Sequence, residues 1–408
     1  MKKNVLWNTV GSVYYSFCQW VMTVAVVWLS ADFVAAGTIG LAMTVTNSFA
    51  TIAFFGMRNF QISDVTGVYS DEEYVMSRRV TAVFAFALCA GYLIFIKCSP
   101  REMICVLIYM LIRLIESAED VYQGVFQKND RFDIIGISFI LRGTLQIGSF
   151  VATFAMTHDL VAAFSVMTVT NLAVMIFFDI SRLKKIAGLG RVRWTPKIPV
   201  LLKECVLLVV YQFAVNSLAT VVRVAIRDRL GTEVLGVYSS VASPTVIITL
   251  LGAVIFTPFL PEFARLYNDG ESATFKKRVY KIIYIFVGCF ILFTVGGILL
   301  GKLCLGLIYG DGVAEHADYL LPLVWSTFFF AALSLFGGLL VAMRKTLPLF
   351  SGAIAGLVCT YILSRPLIER FGANGGSYAQ VIIEVLLTVF YLNVVTICIN
   401  KKDLESGS

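Results

Sequence analysis

Residues 203–227 read KECVLLVVYQFAVNSLATVVRVAIR, a mostly apolar run of the length that a helix needs to cross a bilayer. Its polar members recur at spacings that place them on one face of a helix. They are Gln212, Asn216, Thr220, Arg223 and Arg227. An arginine inside such a helix costs about 2.5–3.5 kcal/mol on insertion scales, so it needs a partner or a wet cavity. The stretch therefore predicts a membrane helix whose polar face lines a cavity, or alternatively bonds to neighbouring helices.

The composition of the whole chain agrees with a membrane protein. Of its 408 residues, 58% are hydrophobic and 14% are charged, whereas a soluble domain has about 25% charged residues. The mean hydropathy is +0.83. A folded chain of this length needs a wettable surface, which so few charges cannot provide. The composition excludes a soluble enzyme, a nucleic-acid-binding protein and a disordered chain.

Twelve segments are long and apolar enough to be membrane helices. They are residues 5–29, 36–58, 80–98, 102–125, 134–156, 160–180, 203–227, 234–260, 279–301, 317–343, 347–365 and 374–399. Of the 33 Lys and Arg residues, 23 fall in the connections on the N-terminal side of the membrane and seven on the other side. Because basic residues crowd cytoplasmic loops, both termini are predicted to be cytoplasmic.

A weak internal repeat divides the chain into two halves. Tyr69 matches Tyr267 and Arg79 matches Arg278 at offsets near half the chain length, in the loop after the second span of each half. Six spans per half give two parallel six-helix lobes around a central cavity, which is typical of transporters. The predicted organisation is an N-terminal lobe at 1–180, a basic cytoplasmic linker at 181–202, a C-terminal lobe at 203–400 and a tail at 401–408 that resembles a cloning remnant.

Further polar residues lie inside other predicted spans. The first span repeats the polar stripe without a charge, and it includes Asn8 and Gln19. In the fourth span, Arg113, Glu116 and Asp120 share one face. Two interpretations remain open for them: pairing within their own helix, or a titratable cluster that couples ion movement to transport.

Two more charges are harder to pair from the sequence. Arg142 in the fifth span has no acid nearby in sequence, so it is a candidate for contact with an anionic ligand. Glu384 in the twelfth span is either a partner for one of the arginines or a site for a proton or cation. The nine cysteines are scattered singly and the two histidines lie in short connections, so neither a metal site nor a cofactor is predicted.

Several short motifs resemble a known family. Leu235–Tyr238 opens the eighth span, Phe256–Leu260 leads into the loop Tyr267–Gly270, and Phe371–Gly376 precedes the twelfth span. These motifs and the twelve-span layout resemble the MOP superfamily, and more closely its polysaccharide flippases of the Wzx type. The resemblance implies a MATE-like fold and a flippase that moves an undecaprenyl-pyrophosphate-linked oligosaccharide from the inner to the outer leaflet of a bacterial cytoplasmic membrane. It also implies partners such as a polysaccharide polymerase or glycosyltransferases.

A pyrophosphate headgroup is a multiply charged anion, which arginine can pair with in a planar, bidentate fashion. The candidate substrate-binding residues are therefore Arg223, Arg142, Arg113, Arg227, Asn216, Gln212, Gln19 and Asn8. The candidate residues for coupling to a Na⁺ or H⁺ gradient are Glu116, Asp120 and Glu384. No catalytic residue is predicted, and transport is expected to proceed by alternating access.

Other functions fit the sequence less well. An ion-coupled multidrug or organic-cation antiporter of the MATE type is the main alternative, and the acids of the fourth span favour it. Flippases of peptidoglycan precursors have two further helices. A facilitator-type transporter would carry a characteristic loop between its second and third spans, which residues 56–79 lack. A glycan-assembling enzyme would need larger loops outside the membrane.

Overall fold

The computed structural model describes residues 2–64, 67–188, 190–249, 252 and 259–406. No β-strand occurs in these ranges, and ten of the described helices are long and apolar enough to cross a membrane. The chain forms two compact units, residues 1–216 and 217–408. This boundary lies inside one long helix, and the sequence-based division into lobes joined by a linker at 181–202 remains a prediction.

The first unit is built from eight helices and the beginning of a ninth. They are α1 (Lys2–Leu29), α2 (Val34–Phe54), α3 (Met57–Ser63), α4 (Asp71–Phe95), α5 (Pro100–Lys128), α6 (Phe132–Thr157), α7 (Leu160–Val174), α8 (Ser181–Ala187) and α9 (Lys197–Leu230). A π-helical segment, Met175–Ile180, joins α7 to α8. Helix α5 packs against α2, α4 and α7, and it is therefore the central helix of this unit.

In its described residues, the second unit contains the end of α9 and seven further helices. They are α10 (Thr232–Ala242), α11 (Leu260–Asn268), α12 (Ser272–Tyr309), α13 (Asp311–Ala314), α14 (Leu320–Ala342), α15 (Thr346–Phe371) and α16 (Ala373–Ser406). Helix α10 passes into a 3₁₀ turn, Ser243–Thr245, at Pro244, where proline cannot donate a backbone hydrogen bond. Much of the predicted eighth span, including Pro258 and most of the Phe256–Leu260 motif, lies outside the described residues.

Local sequence signals explain where several helices begin. Ser70 and Glu73 form a capping box at the start of α4, and Ser99 and Glu102 form another at the start of α5. In each box the serine side chain accepts from the backbone of the glutamate, whose carboxylate accepts from the serine backbone. At the start of α7, Asp159 caps the helix, and a hydrogen bond from Arg101 holds the pKa of this carboxyl below its ordinary value.

Some predicted helix ends were wrong. The second span was predicted as one helix over 36–58, but α2 ends at Phe54 because Phe55 and Gly56 both adopt left-handed backbone conformations. Glycine tolerates this region without a steric penalty. The sixth span was predicted to end at 180, but the chain continues through the π-helical segment into α8. The ninth span is longer than predicted, since α12 covers 38 residues.

Helices α1 and α6 approach each other backbone to backbone at two glycines. A β-carbon added to Gly11 would lie 2.8 Å from the Gly136 Cα, and one added to Gly136 would lie 2.6 Å from the carbonyl carbon of Trp7. Small residues allow this close packing, which stabilises helix pairs inside a membrane. The contact fixes the position of α1 against α6, and both helices carry residues of the polar network described below.

We predict that Gly136→Ala destabilises the protein by about 1–3 kcal/mol, the usual cost of overpacking a tight interface. Gly148→Ala is the matched control, because it makes the same change on the same helix where nothing lies within 4 Å of the added carbon. A thiol-reactive dye can follow thermal unfolding, since several free cysteines, including Cys18 and Cys105, are buried. Equal unfolding midpoints for the two variants would contradict the predicted close contact.

Candidate functional site

A network of buried polar side chains crosses the first unit, and Tyr15 of α1 is near its centre. The Tyr15 hydroxyl donates to the Glu116 carboxylate of α5 and accepts from the Gln19 amide at 2.9 Å. It also lies 3.2 Å from the amide nitrogen of Gln146 on α6, which in turn donates to Asn171 of α7 at 2.6 Å. One hydroxyl group thus connects three helices, and the network reaches a fourth.

Arg113 of α5 is held at the edge of this network. One guanidinium nitrogen donates to Glu116 at 2.5 Å and another donates to Asn47 of α2 at 3.2 Å. The guanidinium also stands 5.9 Å from the centre of the Phe54 ring, a favourable cation–π distance. The Arg113 side chain remains 19% exposed. An external anion could therefore reach this arginine while its present partners stay in place.

Arg142 has the opposite environment, because it is sealed inside the unit. It forms an ion pair with Glu119 of α5, and the two side chains are 2% and 0% exposed. The rings of Tyr15 and Phe139 lie 5.2 and 4.9 Å from its guanidinium carbon. This pairing could not be predicted from the sequence alone, because Glu119 is 23 residues away on another helix. A ligand could reach Arg142 only if this packing opened.

Asp179 is a functional candidate that the sequence analysis missed. It lies on the π-helical segment after α7, is 1% exposed, and its charge interacts with those of Glu119 and Arg142. Ser138 of α6 faces it and is also fully buried. The available signal was an acid within an otherwise apolar run, but Asp179 lies one residue before the predicted end of the sixth span, where an acid is unremarkable.

Asp120 belongs to a separate cluster at the end of α5. It accepts from the buried Arg78 of α4 at 2.7 Å and lies 3.6 Å from Arg58 of α3. Arg78 also donates to the Ala53 carbonyl at 2.6 Å. This cluster ties α3, α4 and α5 to the end of α2, where the helix breaks. The sequence left open whether the charges of the fourth span pair with each other. In the structure, Arg113 pairs with Glu116 of its own helix, whereas Asp120 pairs with Arg78 of another helix.

The second unit contains a buried acid with neutral hydrogen-bond partners. Glu384 of α16 is 0% exposed and accepts from Gln380 at 2.9 Å and from Ser326 of α14 at 3.2 Å. Within the described part of the chain, no lysine or arginine lies at ion-pair distance from it. An arginine partner is therefore not found among the described residues, and a role as a proton or cation site stays a prediction.

The charged residues of α9 differ in exposure. Arg223 is half-buried, and its charge interacts with the hydroxyl group of Tyr238 on α10, which lies 2.9 Å from Ser377 of α16. Arg227 is buried and contacts the carboxylate of its neighbour Asp228 at 3.0 and 2.6 Å. Arg223 is therefore the better placed of the two to contact a ligand.

The remaining predicted residues make fewer contacts. Asn216 donates to Thr51 of α2 at 3.0 Å, while Gln212 and Asn8 are half-buried. The structure thus gathers Gln19, Arg113, Glu116 and Arg142 into one network and places Asp120 in another. Arg223, Arg227 and Glu384 lie in the second unit. Among the residues that the structure describes, no group of His, Cys, Asp and Glu could hold a metal ion.

Comparison with known proteins identifies the fold. No family model matches the chain. The capsular polysaccharide biosynthesis protein CapF of Staphylococcus aureus is 23% identical over 406 residues, covering 96% of this chain and 98% of that protein. The inward-facing conformation of a multidrug resistance MATE family transporter of the MOP superfamily has a TM-score of 0.71 at 11% identity, covering 97% of this chain and 98% of that chain. The chain has the MOP-superfamily fold.

Two further solved structures share this MOP fold. The lipid II flippase MurJ, in an inward closed conformation, has a TM-score of 0.73 at 13% identity and covers 98% of this chain and 90% of its own. An outward-facing MATE family transporter has a TM-score of 0.57 at 12% identity, covering 97% and 94%. The predicted all-α, multi-spanning, MATE-like fold and the resemblance to the MOP superfamily are confirmed. The solved structures that share this fold are named as transporters and as a flippase, the class of protein that the sequence predicts for this chain.

We predict that Arg142→Gln destabilises this MOP-fold protein by about 3–5 kcal/mol, because the substitution leaves Glu119 buried without its cation. The double variant Arg142→Gln/Glu119→Gln should recover part of this loss, since neither charge is then left unpaired. The thiol-dye unfolding assay measures both.

Arg101→Gln is the matched control, since it breaks the pair with Asp159, whose side chains are 75% and 39% exposed. An exposed pair contributes about 0–1 kcal/mol. If Arg142→Gln and Arg101→Gln had similar effects, the Arg142–Glu119 pair would not be the buried interaction that the structure shows.

Proposed function

We propose that this chain is a flippase that moves an undecaprenyl-pyrophosphate-linked oligosaccharide from the inner to the outer leaflet of a bacterial cytoplasmic membrane. The name of the Staphylococcus aureus relative supports a role in polysaccharide biosynthesis. The lipid II flippase among the solved structures supports a lipid-linked substrate for this fold. A polysaccharide polymerase and glycosyltransferases are the proposed partners, and both termini are proposed to be cytoplasmic.

The observation that carries this proposal is the partial exposure of Arg113 within a membrane span. Its partners Glu116 and Asn47 hold the guanidinium in a fixed position, while part of the side chain stays accessible. A guanidinium can form two parallel hydrogen bonds to a phosphate group. Arg113 therefore offers a pre-oriented contact for the pyrophosphate.

Arg223 in the second unit is the other proposed pyrophosphate contact. It is half-buried on the polar face of α9, where Gln212 and Asn216 are also half-buried. These amides could donate to the sugar or phosphate oxygens of the substrate. Arg142, which the sequence placed among the first candidates, is proposed instead to orient Glu119 and the rings around it, since its side chain is sealed.

Alternating access is the proposed mode of transport. Solved structures of the same fold include inward-facing and outward-facing conformations. Binding the pyrophosphate to arginines offsets part of the cost of moving several charges across a low-dielectric layer. The lipid tail can remain in the bilayer throughout.

Coupling to an ion gradient is proposed at Glu384. Of the three predicted coupling acids, Glu116 and Asp120 are paired with arginines, whereas Glu384 accepts only from neutral groups. Such a carboxylate can bind a proton or Na⁺ without first releasing a salt bridge. This same feature would suit the alternative function, an organic-cation antiporter.

We predict that Arg113→Gln and Arg223→Gln each weaken binding of a short polyprenyl pyrophosphate to the purified protein about tenfold to hundredfold. This range corresponds to the loss of a charge-assisted hydrogen bond, about 1.5–3 kcal/mol. Microscale thermophoresis in detergent would measure the affinity. Arg370→Gln, on an exposed arginine beside Phe371, is the control and should bind normally.

The same assay with an organic cation tests the alternative. If the wild-type protein does not bind the pyrophosphate but binds the cation in a pH-dependent manner, the antiporter function replaces the flippase proposal.

We predict that Glu384→Gln retains pyrophosphate binding but loses the stimulation of transport by an ion gradient in proteoliposomes. Glutamine keeps the shape of the site, since its oxygen can accept from Gln380 and its amide nitrogen can donate to the Ser326 hydroxyl, but it cannot take up a cation or proton. Separate Na⁺ and pH gradients identify the coupling ion. Glu369→Gln, at an exposed salt bridge with Arg229 in the same unit, is the control. Undiminished stimulation in Glu384→Gln would remove this residue from the coupling mechanism.

A further inference from the structure

The charges of the network around Tyr15 and Arg142 in the first unit do not balance. Three acids lie close together in its network, Glu116, Glu119 and Asp179, and their charges are offset by two arginines, Arg113 and Arg142. Glu116 pairs with Arg113, and Glu119 pairs with Arg142. Asp179 is then the third carboxyl group, and it forms no salt bridge within the described part of the chain. If all five groups were ionised, the interior would hold a net charge of −1, which is costly in a membrane segment.

Polar atoms without hydrogen-bond partners in this region also indicate an excess of carboxylates over arginines. Glu119 uses one carboxylate oxygen to accept from Arg142, and its other oxygen, Oε1, is buried without a partner. Asp179 Oδ2 is also buried without a partner, and so are the hydroxyl oxygen of Ser138 and two nitrogens of Arg142, Nε and Nη2. Buried polar atoms nearly always have hydrogen-bond partners, so three such oxygens around two facing carboxyl groups require an explanation.

A single proton on the two carboxyl groups explains these unpartnered oxygens. A protonated Asp179 can donate from Oδ2 to Glu119 Oε1, which gives both unpartnered carboxyl oxygens a partner. The Ser138 hydroxyl, which faces Asp179, can then donate to the other Asp179 oxygen. We propose that Glu119 and Asp179 hold one proton between them, and that with Arg142 and Ser138 they form a proton-binding site in the first unit.

The surrounding groups keep this proton in place. From α5, Glu116 and Tyr122 face the carboxyl pair, from α6 Arg142 faces it, and from α1 Tyr15 completes the shell around Arg142. Arg79 of α4 interacts with Tyr122, one group further away. Among the described residues, the only cation in direct contact with the pair is therefore Arg142, whose single charge balances one carboxylate and not two.

Proton release is consequently linked to the packing of α5, α6 and the π-helical segment. With the proton bound, Arg142, Glu119 and Asp179 are neutral as a group. When the proton passes from Asp179 to water, the group has a net charge of −1 and requires solvation. Water must reach Asp179 for this to happen, so the deprotonated site favours a more open arrangement. The π-helical backbone that carries Asp179 is a common feature of functional sites in helices.

Infrared difference spectroscopy of the purified protein tests the site directly, because a protonated carboxyl group has a carbonyl stretching band that a carboxylate lacks. The wild-type protein at neutral pH should show a band that Asp179→Asn removes. Glu369→Gln is the control, since it removes an exposed acid from the other unit and should leave this band unchanged. An unaltered spectrum in Asp179→Asn would overturn the proposal.

Glu119→Gln provides a second test that does not depend on the fold of the Asp179 variant. Once Glu119 is neutral, Asp179 becomes the partner of Arg142 and should give up its proton. The band should then disappear although Asp179 is intact. Persistence of the band in Glu119→Gln would show that the two carboxyl groups do not share the proton.

The pH dependence of stability gives an independent result. An unfolded aspartate has lost its proton above about pH 4, whereas the folded site keeps it, so the folded state binds more protons and its stability falls as the pH rises. Asp179→Asn keeps the neutral form and should lose less stability at alkaline pH than the wild-type protein. Parallel stability profiles would count against the site. None of these measurements needs a substrate, so their failure would leave the flippase proposal standing.

Discussion

The absence of water in the hydrocarbon layer is the constraint on which the rest of this structure depends. A buried charge must find its partner within the protein or cost several kcal/mol. Helix α5 meets this constraint by pairing four of its charges: Arg113 and Glu116 with each other, Glu119 with Arg142, and Asp120 with Arg78. The close contact between α1 and α6 at Gly11 and Gly136 serves the same purpose, since it keeps Tyr15 within reach of Gln146.

The fold was largely predictable because membrane helices are specified by length and hydrophobicity, both of which are local properties. Irregular backbone was not predictable in the same way. The break at Phe55 and Gly56 and the π-helical segment Met175–Ile180 both lie near the ends of predicted spans, and hydrophobicity alone does not distinguish either stretch from a regular helix. Each is stabilised by contacts with other helices, such as the bond from Arg78 to the Ala53 carbonyl, which no window of sequence contains.

The site was predictable only in its residue types. Periodicity placed Gln19 and Arg113 on polar faces, and both belong to the network. It could not pair Arg142 with Glu119, because the choice of partner depends on how α5 and α6 pack. Asp179 was missed for a related reason: an acid near the end of a span reads as a surface residue, and only the continuation of the chain into α8 places it in the interior.

The two units satisfy their buried acids in different ways, and this difference bears on how the protein could work. In the first unit, Glu116 and Glu119 are fixed by arginines, so their ionisation is tied to the packing of several helices. In the second unit, Glu384 accepts from Gln380 and Ser326, whose neutral groups can support either a carboxylate or a carboxylic acid. A change of charge at Glu384 therefore requires little rearrangement of its immediate partners, whereas one in the first unit leaves an arginine or a carboxylate unbalanced. The neutral partners of Glu384 therefore fit the ion-binding role proposed for it, whereas the arginine pairs of the first unit fit the proposed link between a change of charge and the packing of the helices.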